Sequence, residues 1–242
     1  MVRYVHDYTD LTGPEPDPDL LGGKGANLAR MVRLGLPVPP GFTISTEACR
    51  RYLADGTDPT ELADQVSVHL AGLEKELGRA LGDLRDPLLV SVRSGARHSM
   101  PGMMETVLNI GLNDQSVHGL AAQAGGGPDA DRFAWDSYRR LIQMFGRTVL
   151  GIDADRFEEA LTEAKRARAT DSDLDLDAAD LREMVAEFKA VVRDATGQEF
   201  PQDPRDQLDL AIRARALAAG AGPAPAGPGH HRPAAQFVTE RT

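Results

Sequence analysis

The sequence predicts an α+β protein in which an α/β portion is joined to a helical subdomain. Two observations predict the α/β portion: a β-rich apolar run at residues 88–92, and an apolar helical face that follows the glycines of residues 22–25. A third observation predicts the helical subdomain, because from Asp114 onward the apolar residues recur only at helical spacing. The pattern therefore predicts one portion that contains a sheet and one that is made of helices.

The first eighty residues predict short elements. The alternation of residues 2–8 predicts a strand, and the prolines of residues 37–42 exclude a helix and predict an extended segment. Thr46 is predicted to cap the next helix, and an apolar stripe predicts a longer helix over residues 61–81. His69 lies beside that stripe without a second ligand at helical spacing, so it is interpreted as structural.

The remaining elements are predicted in the same way. After the strand at Leu88, a second apolar run at residues 106–110 predicts a partner strand. Helices are predicted over residues 133–150, 153–168 and 181–192, the last of them ending before Gly197. The acidic segment DSDLDLD between them resembles the start of an EF-hand only superficially, because the required glycine and glutamate are missing, and it is interpreted as a solvated loop.

Composition and charge exclude several classes of protein. The chain has 242 residues, of which 41% are hydrophobic and 26% charged, as in ordinary globular proteins. A net charge of −10 argues against a general nucleic-acid binder, which needs a basic surface. The single cysteine, Cys49, excludes a disulfide framework, and no apolar run reaches the length of a membrane span. The sequence therefore predicts a cytoplasmic protein without a nucleic-acid or membrane partner.

A glycine-rich segment, Gly22, Gly23, Lys24 and Gly25, is the first candidate binding motif. It predicts a flexible loop with one cation before a helix, and both glycine flexibility and the helix N-terminus favour a bound anion. It is not a Walker A loop, because Lys24 is followed by Gly25 rather than by a hydroxyl residue. The alternative interpretation is a simple turn.

The end of the Leu88 strand is the second candidate. Arg93 and Arg97 leave the strand beside two hydroxyl residues, Ser94 and Ser99. Guanidinium groups offer fixed forks of donors that suit phosphate oxygens. The alternative interpretation is a strand and a turn whose arginines are solvated.

Four segments in order resemble the nucleotide-binding domain of pyruvate, phosphate dikinase. They read GGKGANLARMVRLGLPVPPGFTISTEACRRYL, LLVSVRSGARHSMPGMMETVLNIGLND, FAWDSYRRLIQMFGRTVLGID and FPQDPRDQL. Phosphoenolpyruvate synthase and the glucan dikinases share looser versions of the first two, whereas SMPGMMETVLN is specific to the dikinase. The resemblance extends over residues 1–212.

The resemblance implies the first lobe of an ATP-grasp domain with an inserted helical subdomain. It implies four parts: an α/β nucleotide-binding lobe at 1–112, the helical subdomain at 113–198, a return segment to the lobe at 199–215 and a flexible Ala/Gly/Pro-rich tail at 216–242. In that family, the residues matching Lys24 and Arg93 bind ATP phosphates. Supporting contacts to ATP are expected from the neighbouring residues Gly23, Gly25, Ser94, Arg97 and Ser99.

The resemblance also implies limits on the reaction. The family transfers a phosphoryl group from ATP to a histidine on another domain and then to pyruvate, giving phosphoenolpyruvate. Its Mg²⁺ ligands, second lobe, phosphohistidine domain and pyruvate-binding barrel lie beyond the matching segments. We therefore expect an ATP-binding portion that does not complete the reaction alone, or that needs a polypeptide supplying the other domains.

The alternative is an inactive truncated remnant or a regulatory nucleotide-binding module. The abrupt loss of resemblance after Ile212, within a predicted helix, also suggests a truncated or frameshifted product.

Overall fold

The computed structural model describes residues 2–8, 15–95, 106–220 and 234–239; for 94–95, 215–220 and 234–239 it describes the backbone alone. Its contacts divide the chain into two units. The first unit comprises Met1–Gly78, Val90–Thr106 and Ile212–Thr242, and the second comprises Arg79–Leu89 and Val107–Ala211. Helices and short strands are both present, so the predicted α+β class is confirmed.

The first half of the chain contains most of the strands. In chain order the elements are β1 (Val5–Asp7), α1 (Pro18–Arg33), β2 (Gly41–Ile44), α2 (Thr46–Asp55), α3 (Leu62–Leu77), β3 (Ala80–Leu81), β4 (Pro87–Leu88), β5 (Val90–Gly95) and β6 (Val107–Ile110).

The second half is mainly helical. Its elements are α4 (Ser116–Gln123), α5 (Pro128–Thr148), α6 (Ala154–Ala167), a 3₁₀ turn at Asp173–Asp175, α7 (Ala178–Thr196), α8 (Pro204–Gly220) and β7 (Ala234–Thr239).

The sheet of the first unit has its strands in the order β1, β2, β7, β5, each antiparallel to its neighbour. Phe42 and Ile44 of β2, and Val90 and Val92 of β5, are buried and form part of its core. Helix α1 packs against β2, β5 and β7, whereas α3 packs against β1. The sheet therefore brings segments from both ends of the chain together.

Two predicted helix starts in the first unit need correction. Helix α1 begins at Pro18 rather than after Gly25, because Asp17 caps it and proline suits the first helical position. Helix α2 is capped by Ser45 instead of Thr46: the Ser45 hydroxyl accepts a hydrogen bond from the Ala48 N–H. Thr46 instead donates its hydroxyl to the backbone oxygen of Asp19, which ties α2 to the start of α1.

The second unit is built around α5. This helix packs against α4, α6, α7 and β6. Its apolar residues Leu141, Ile142 and Phe145 are fully buried. Phe157 of α6 packs edge-on against Phe188 of α7, with ring centroids 5.1 Å apart. The apolar residues at helical spacing therefore form one core of packed aromatic rings and aliphatic side chains.

The two units group three stretches differently from the predicted parts. Residues 79–89, 107–112 and 199–211 belong to the second unit, with the helices. Within this unit, Gln207 joins the start of α8 to the loop after β6. Its amide oxygen accepts from the Gly111 N–H at 3.0 Å, and its amide nitrogen donates to the Leu112 carbonyl at 2.9 Å.

The predicted tail needs a second correction, because it contains part of α8 and the whole of β7. The segment AAQFVT at residues 234–239 follows the Ala/Gly/Pro-rich stretch and includes aromatic and β-branched residues that favour strands. Strand β7 pairs with both β2 and β5 and so contributes an inner strand to the sheet.

Candidate functional site

Lys24 lies on α1 immediately after a break in the helix. At Gly22 the backbone has φ 68° and ψ 163°, which is not helical and which glycine adopts without a Cβ clash. A second helical segment therefore starts after Gly22 and carries Lys24 in its first turn. The glycines were predicted to form a loop, whereas in the structure only Gly22 departs from helical geometry. The first N–H groups of a helical segment have no acceptor within it and favour an anion.

Arg93 lies near the end of β5, on the side of the strand opposite to the core residues Val90 and Val92. This position follows from the alternation of side chains along a strand. The Arg93 side chain is half-buried, and its Nε atom is buried. The inner part of the guanidinium group is therefore enclosed by the protein, and the side chain does not extend freely into solvent.

The strand register aligns Arg93 with two other polar residues across the sheet. His6 pairs with Thr43, Thr43 pairs with position 236 of β7, and position 236 pairs with Arg93. Residues directly opposite one another lie on the same face of a sheet. The His6 Nε2 and Thr43 Oγ1 atoms are buried, like Arg93 Nε. We call His6, Thr43 and Arg93 the polar row.

Lys24 and Arg93 are close enough to influence each other. The pKa of the Lys24 ammonium is lowered, first because burial disfavours its charge and second because the positive charge of Arg93 repels it. The two cations lie on separate elements, α1 and β5, which pack against each other. An anion bound between them would offset both the burial and the repulsion.

Tyr8 is a buried residue near the polar row that the sequence patterns did not identify. It is 5% exposed, and burial strongly raises the pKa of its hydroxyl, so the phenol stays neutral. The polar Thr43 side chain and the charge of Arg93 act in the opposite direction, lowering this pKa. The available signal was the spacing of His6 and Tyr8, which places both on one side of β1, but its meaning depends on the register with β2.

The other predicted site residues lie on α1, on β5 or outside the described residues. Gly23 is half-buried and Gly25 is buried, both in the same segment of α1 as Lys24. Ser94 belongs to β5, and its backbone alone is described. Arg97 and Ser99 lie outside the described residues. The structure therefore places Lys24 and its flanking glycines on α1 and Arg93 on β5, two elements that pack against each other.

Two neighbouring features do not contribute to this site. A cleft of about 830 Å³ in the first unit is lined by residues such as Phe42, His69 and Tyr8, but neither Lys24 nor Arg93 lines it. His69 packs against the Phe42 ring, with ring centroids 5.8 Å apart, and its Nδ1 lies 2.8 Å from the Gln65 carbonyl oxygen. These contacts support its interpretation as a structural residue.

Among the described residues, no three histidine, cysteine or acidic side chains cluster so as to hold a metal ion. Lys24 and Arg93 are themselves cations, which do not ligate Mg²⁺. None of the helices in the described ranges combines the length and apolar content that crossing a membrane requires.

A family model matches the part of the chain that includes Lys24. Residues 18–70, which include Lys24 and its flanking glycines, match the family model described as "Pyruvate phosphate dikinase, AMP/ATP-binding domain". The segment around the helix break is thus similar to a domain that binds adenine nucleotides.

Similarity to individual proteins extends through most of the chain. It is 54% identical over 196 residues to pyruvate, phosphate dikinase 1, chloroplastic, of Arabidopsis thaliana, covering 81% of this chain and 20% of that protein. It is 53% identical over 217 residues to pyruvate, phosphate dikinase of Rhizobium meliloti (strain 1021), covering 88% of this chain and 24% of that protein. The predicted resemblance to the pyruvate, phosphate dikinases is therefore confirmed. The chain spans 20–24% of the length of these relatives.

Proposed function

We propose that the first unit binds the phosphate groups of ATP through Lys24 and Arg93, as the nucleotide-binding part of a pyruvate, phosphate dikinase-like phosphotransferase. The observation that carries this proposal is the packing of α1, which bears Lys24, against β5, which bears Arg93. The lowered pKa of Lys24, to which the charge of Arg93 contributes after burial, is consistent with it. Similar charges brought together by a fold cost energy unless a ligand compensates them. The similarity of residues 18–70 to an AMP/ATP-binding domain supports an adenine nucleotide as that ligand.

The two cations would serve different purposes. Lys24 supplies a compact ammonium charge on a flexible stem, which can follow a phosphate oxygen as the ligand settles. Arg93 supplies a planar fork of donors that fixes the orientation of two oxygens. The N–H groups after Gly22, with Gly23 and Gly25 leaving room for close approach, would add uncharged donors at the start of a helical segment. Ser94, Arg97 and Ser99 are proposed as supporting contacts.

We further propose that the first unit is the first lobe of an ATP-grasp domain and that the second unit is its helical insertion. This is supported by the course of the chain. Val107–Ala211 belongs to the second unit, whereas Val90–Thr106 before it and Ile212–Thr242 after it belong to the first. An insertion of this kind needs the chain to return to the unit that it left.

The proposed role of these 242 residues is nucleotide binding and not the complete transfer to pyruvate. Phosphoryl transfer depends on positioning and on charge compensation by Mg²⁺ together with protein cations. The described residues around Lys24 and Arg93 can supply the cations but not carboxylate ligands for a metal. Mg²⁺ would therefore enter with the nucleotide.

Calorimetric titration tests the proposal with two ligands, MgATP and inorganic tripolyphosphate. Because a hydrogen bond to a charged group contributes about 1.5–3 kcal/mol, we expect Lys24→Ala and Arg93→Ala each to weaken both ligands about 10- to 100-fold. Lys75→Ala and Arg50→Ala are matched controls, since both side chains are exposed in the same unit, and they should bind like the wild type.

The outcomes separate the alternatives. Loss of affinity for both ligands in the Lys24 and Arg93 variants supports a phosphate site. Equal affinity in all five proteins would contradict the role of the two cations. An absence of binding by the wild type, at millimolar ligand, would favour the alternative of an inactive remnant.

A further inference from the structure

The cleft beside Phe42 and His69 has the size and the lining of a small-molecule site. Its volume is about 830 Å³, within the range of about 300–1,000 Å³ that is usual for ligand pockets. Its apolar lining includes Leu36, just after α1, and Val68 of α3. Leu36 is 48% exposed and Val68 is 69% exposed, so an apolar ligand between them would remove surface of both from water.

The polar lining of the cleft includes two hydrogen-bond acceptors that face each other. His69 Nδ1 lies 2.8 Å from the Gln65 carbonyl oxygen, and because a carbonyl oxygen can only accept, Nδ1 carries the hydrogen. In the neutral ring, Nε2 is then an acceptor. It lies 3.7 Å from Oδ2 of Asp7, which also accepts, and this distance is longer than a hydrogen bond. An ammonium group placed between the two atoms would donate to both.

The helix and the strand that carry these acceptors are held together by other contacts. The Gln65 side chain joins α3 to the start of the chain: its oxygen accepts from the Tyr4 N–H at 2.7 Å, and its nitrogen donates to the Val2 carbonyl oxygen at 2.7 Å. The Phe42 ring packs against the His69 ring. The polar part of the cleft is therefore preformed, which lowers the cost of ordering it around a ligand.

The charged residues of the cleft favour a cation as the ligand. Asp7 and Glu76 both line it, and Glu76 lies two helical turns after His69 on α3. Arg3 lines it as well, but its Nε donates to the Val5 carbonyl oxygen at 3.0 Å. With two acids and one arginine in its lining, the cleft has the opposite charge preference from the two cations of the proposed phosphate site.

We propose that this cleft binds small amines, with the ammonium group between His69 Nε2 and the Asp7 carboxylate and the apolar body against Leu36 and Val68. The proposal goes beyond the phosphate site, because neither Lys24 nor Arg93 lines the cleft. A cleft that holds only water would show no preference between ligands of opposite charge.

NMR titration of the full chain with three probes tests the class of ligand. Phenethylamine carries an apolar ring and an ammonium group, hydrocinnamate carries the same ring with a carboxylate, and butylamine carries the ammonium group without the ring. The titrations are made at about pH 8, where an ordinary histidine is neutral and an alkylamine is still a cation.

We expect phenethylamine to shift the signals of His69 and Phe42 and to bind at least about 10-fold more tightly than either of the other probes. A hydrogen bond to a charged group and the burial of a ring each contribute enough for this difference. Equal affinities for phenethylamine and hydrocinnamate would overturn the proposal. So would an absence of saturable shifts at His69 and Phe42 with millimolar phenethylamine.

Three variants test the residues. Asp7→Asn removes the charge at nearly constant size and should weaken phenethylamine binding about 10-fold. Glu76→Gln, at an exposed position, should weaken it about 2- to 3-fold through a more distant charge, and it decides the test if circular dichroism shows that Asp7→Asn does not fold. Asp64→Asn is the matched control, because Asp64 is an exposed acid of α3 that does not line the cleft.

The control variant should bind phenethylamine like the wild type. If Asp64→Asn weakens binding as much as the cleft variants do, the effect is one of net charge and the proposal fails. Wild-type affinity in both Asp7→Asn and Glu76→Gln would overturn it as well.

Discussion

The two units use buried arginine in opposite ways. In the second unit, Arg139 is 3% exposed and donates to the Asp136 carboxylate one helical turn away, at 2.6 Å from its Nη2 atom. In the first unit, Arg93 is half-buried on a strand and lies close enough to Lys24 to repel it. One guanidinium is thus paired with an acid on its own helix, whereas the other meets a cation from a different element.

This difference distinguishes a charge that stabilises the fold from a charge that we propose binds a ligand. Burial raises the pKa of Asp136, but the charges and hydrogen bonds of Arg139 and Arg140 outweigh it, and the net pKa is lowered. The pair thus stabilises its own ionised form. In the Lys24–Arg93 pair, by contrast, the charge of Arg93 disfavours the ionised form of Lys24. A polyanion bound beside the two cations would offset this cost.

The largest expected effect tests the structural half of this comparison. Arg139→Ala removes the better-buried partner of the Asp136 carboxylate, whose side chain is 17% exposed. Breaking a buried pair leaves a poorly compensated charge, so we expect the free energy of unfolding to fall by about 3 kcal/mol. Urea denaturation followed by circular dichroism measures the change.

Arg140→Ala provides the control for Arg139, because it pairs with the same carboxylate at 2.8 Å but is 56% exposed. An exposed pair contributes at most about 1 kcal/mol, so this variant should be nearly as stable as the wild type. If the two variants lose the same stability, burial does not decide the structural role of Arg139 and the comparison fails on this side.

A smaller expected effect tests the functional half. Arg93→Ala removes a cation that repels Lys24, so its free energy of unfolding should stay within about 1 kcal/mol of the wild-type value. The same denaturation experiment measures this. A loss of stability as large as that of Arg139→Ala would show that Arg93 is a structural residue, whatever its effect on ligand affinity.

Local patterns predicted the fold well where they act within one element. The helical spacing of Leu141, Ile142 and Phe145 predicted the core face of α5, and Gly197 ends α7 in a left-handed conformation, as its position suggested. The glycine pattern predicts the start of α1 too late, because the Asp17 cap and Pro18 before it already begin the helix. Strand β7 was missed because the composition of the preceding stretch obscured it.

The candidate site shows the same limit. Lys24 and Arg93 stand out in sequence, since each follows a recognisable local pattern of glycines or a strand end. Tyr8 does not, because its relation to Arg93 depends on the pairing of four strands from distant parts of the chain. Sequence patterns thus predict the two cations, but not the residues that strand pairing places near Arg93.

The smallest expected effect is a pH dependence at Lys24. Burial first, and then the charge of Arg93, lower the Lys24 pKa, so the folded protein releases this proton at a lower pH than the unfolded chain. The contribution of Lys24 to stability therefore rises as pH increases through the lowered pKa, whereas polyphosphate affinity falls because the bound anion favours the cation.

In Arg93→Ala one of the two causes is removed, and the pKa of Lys24 should move back toward its ordinary value. NMR titration of the Lys24 side chain measures this shift, with the signal of exposed Lys75 expected to be the same in both proteins. An identical Lys24 midpoint with and without Arg93 would show that the two cations do not interact, and the contrast between the units would then rest on Arg139 alone.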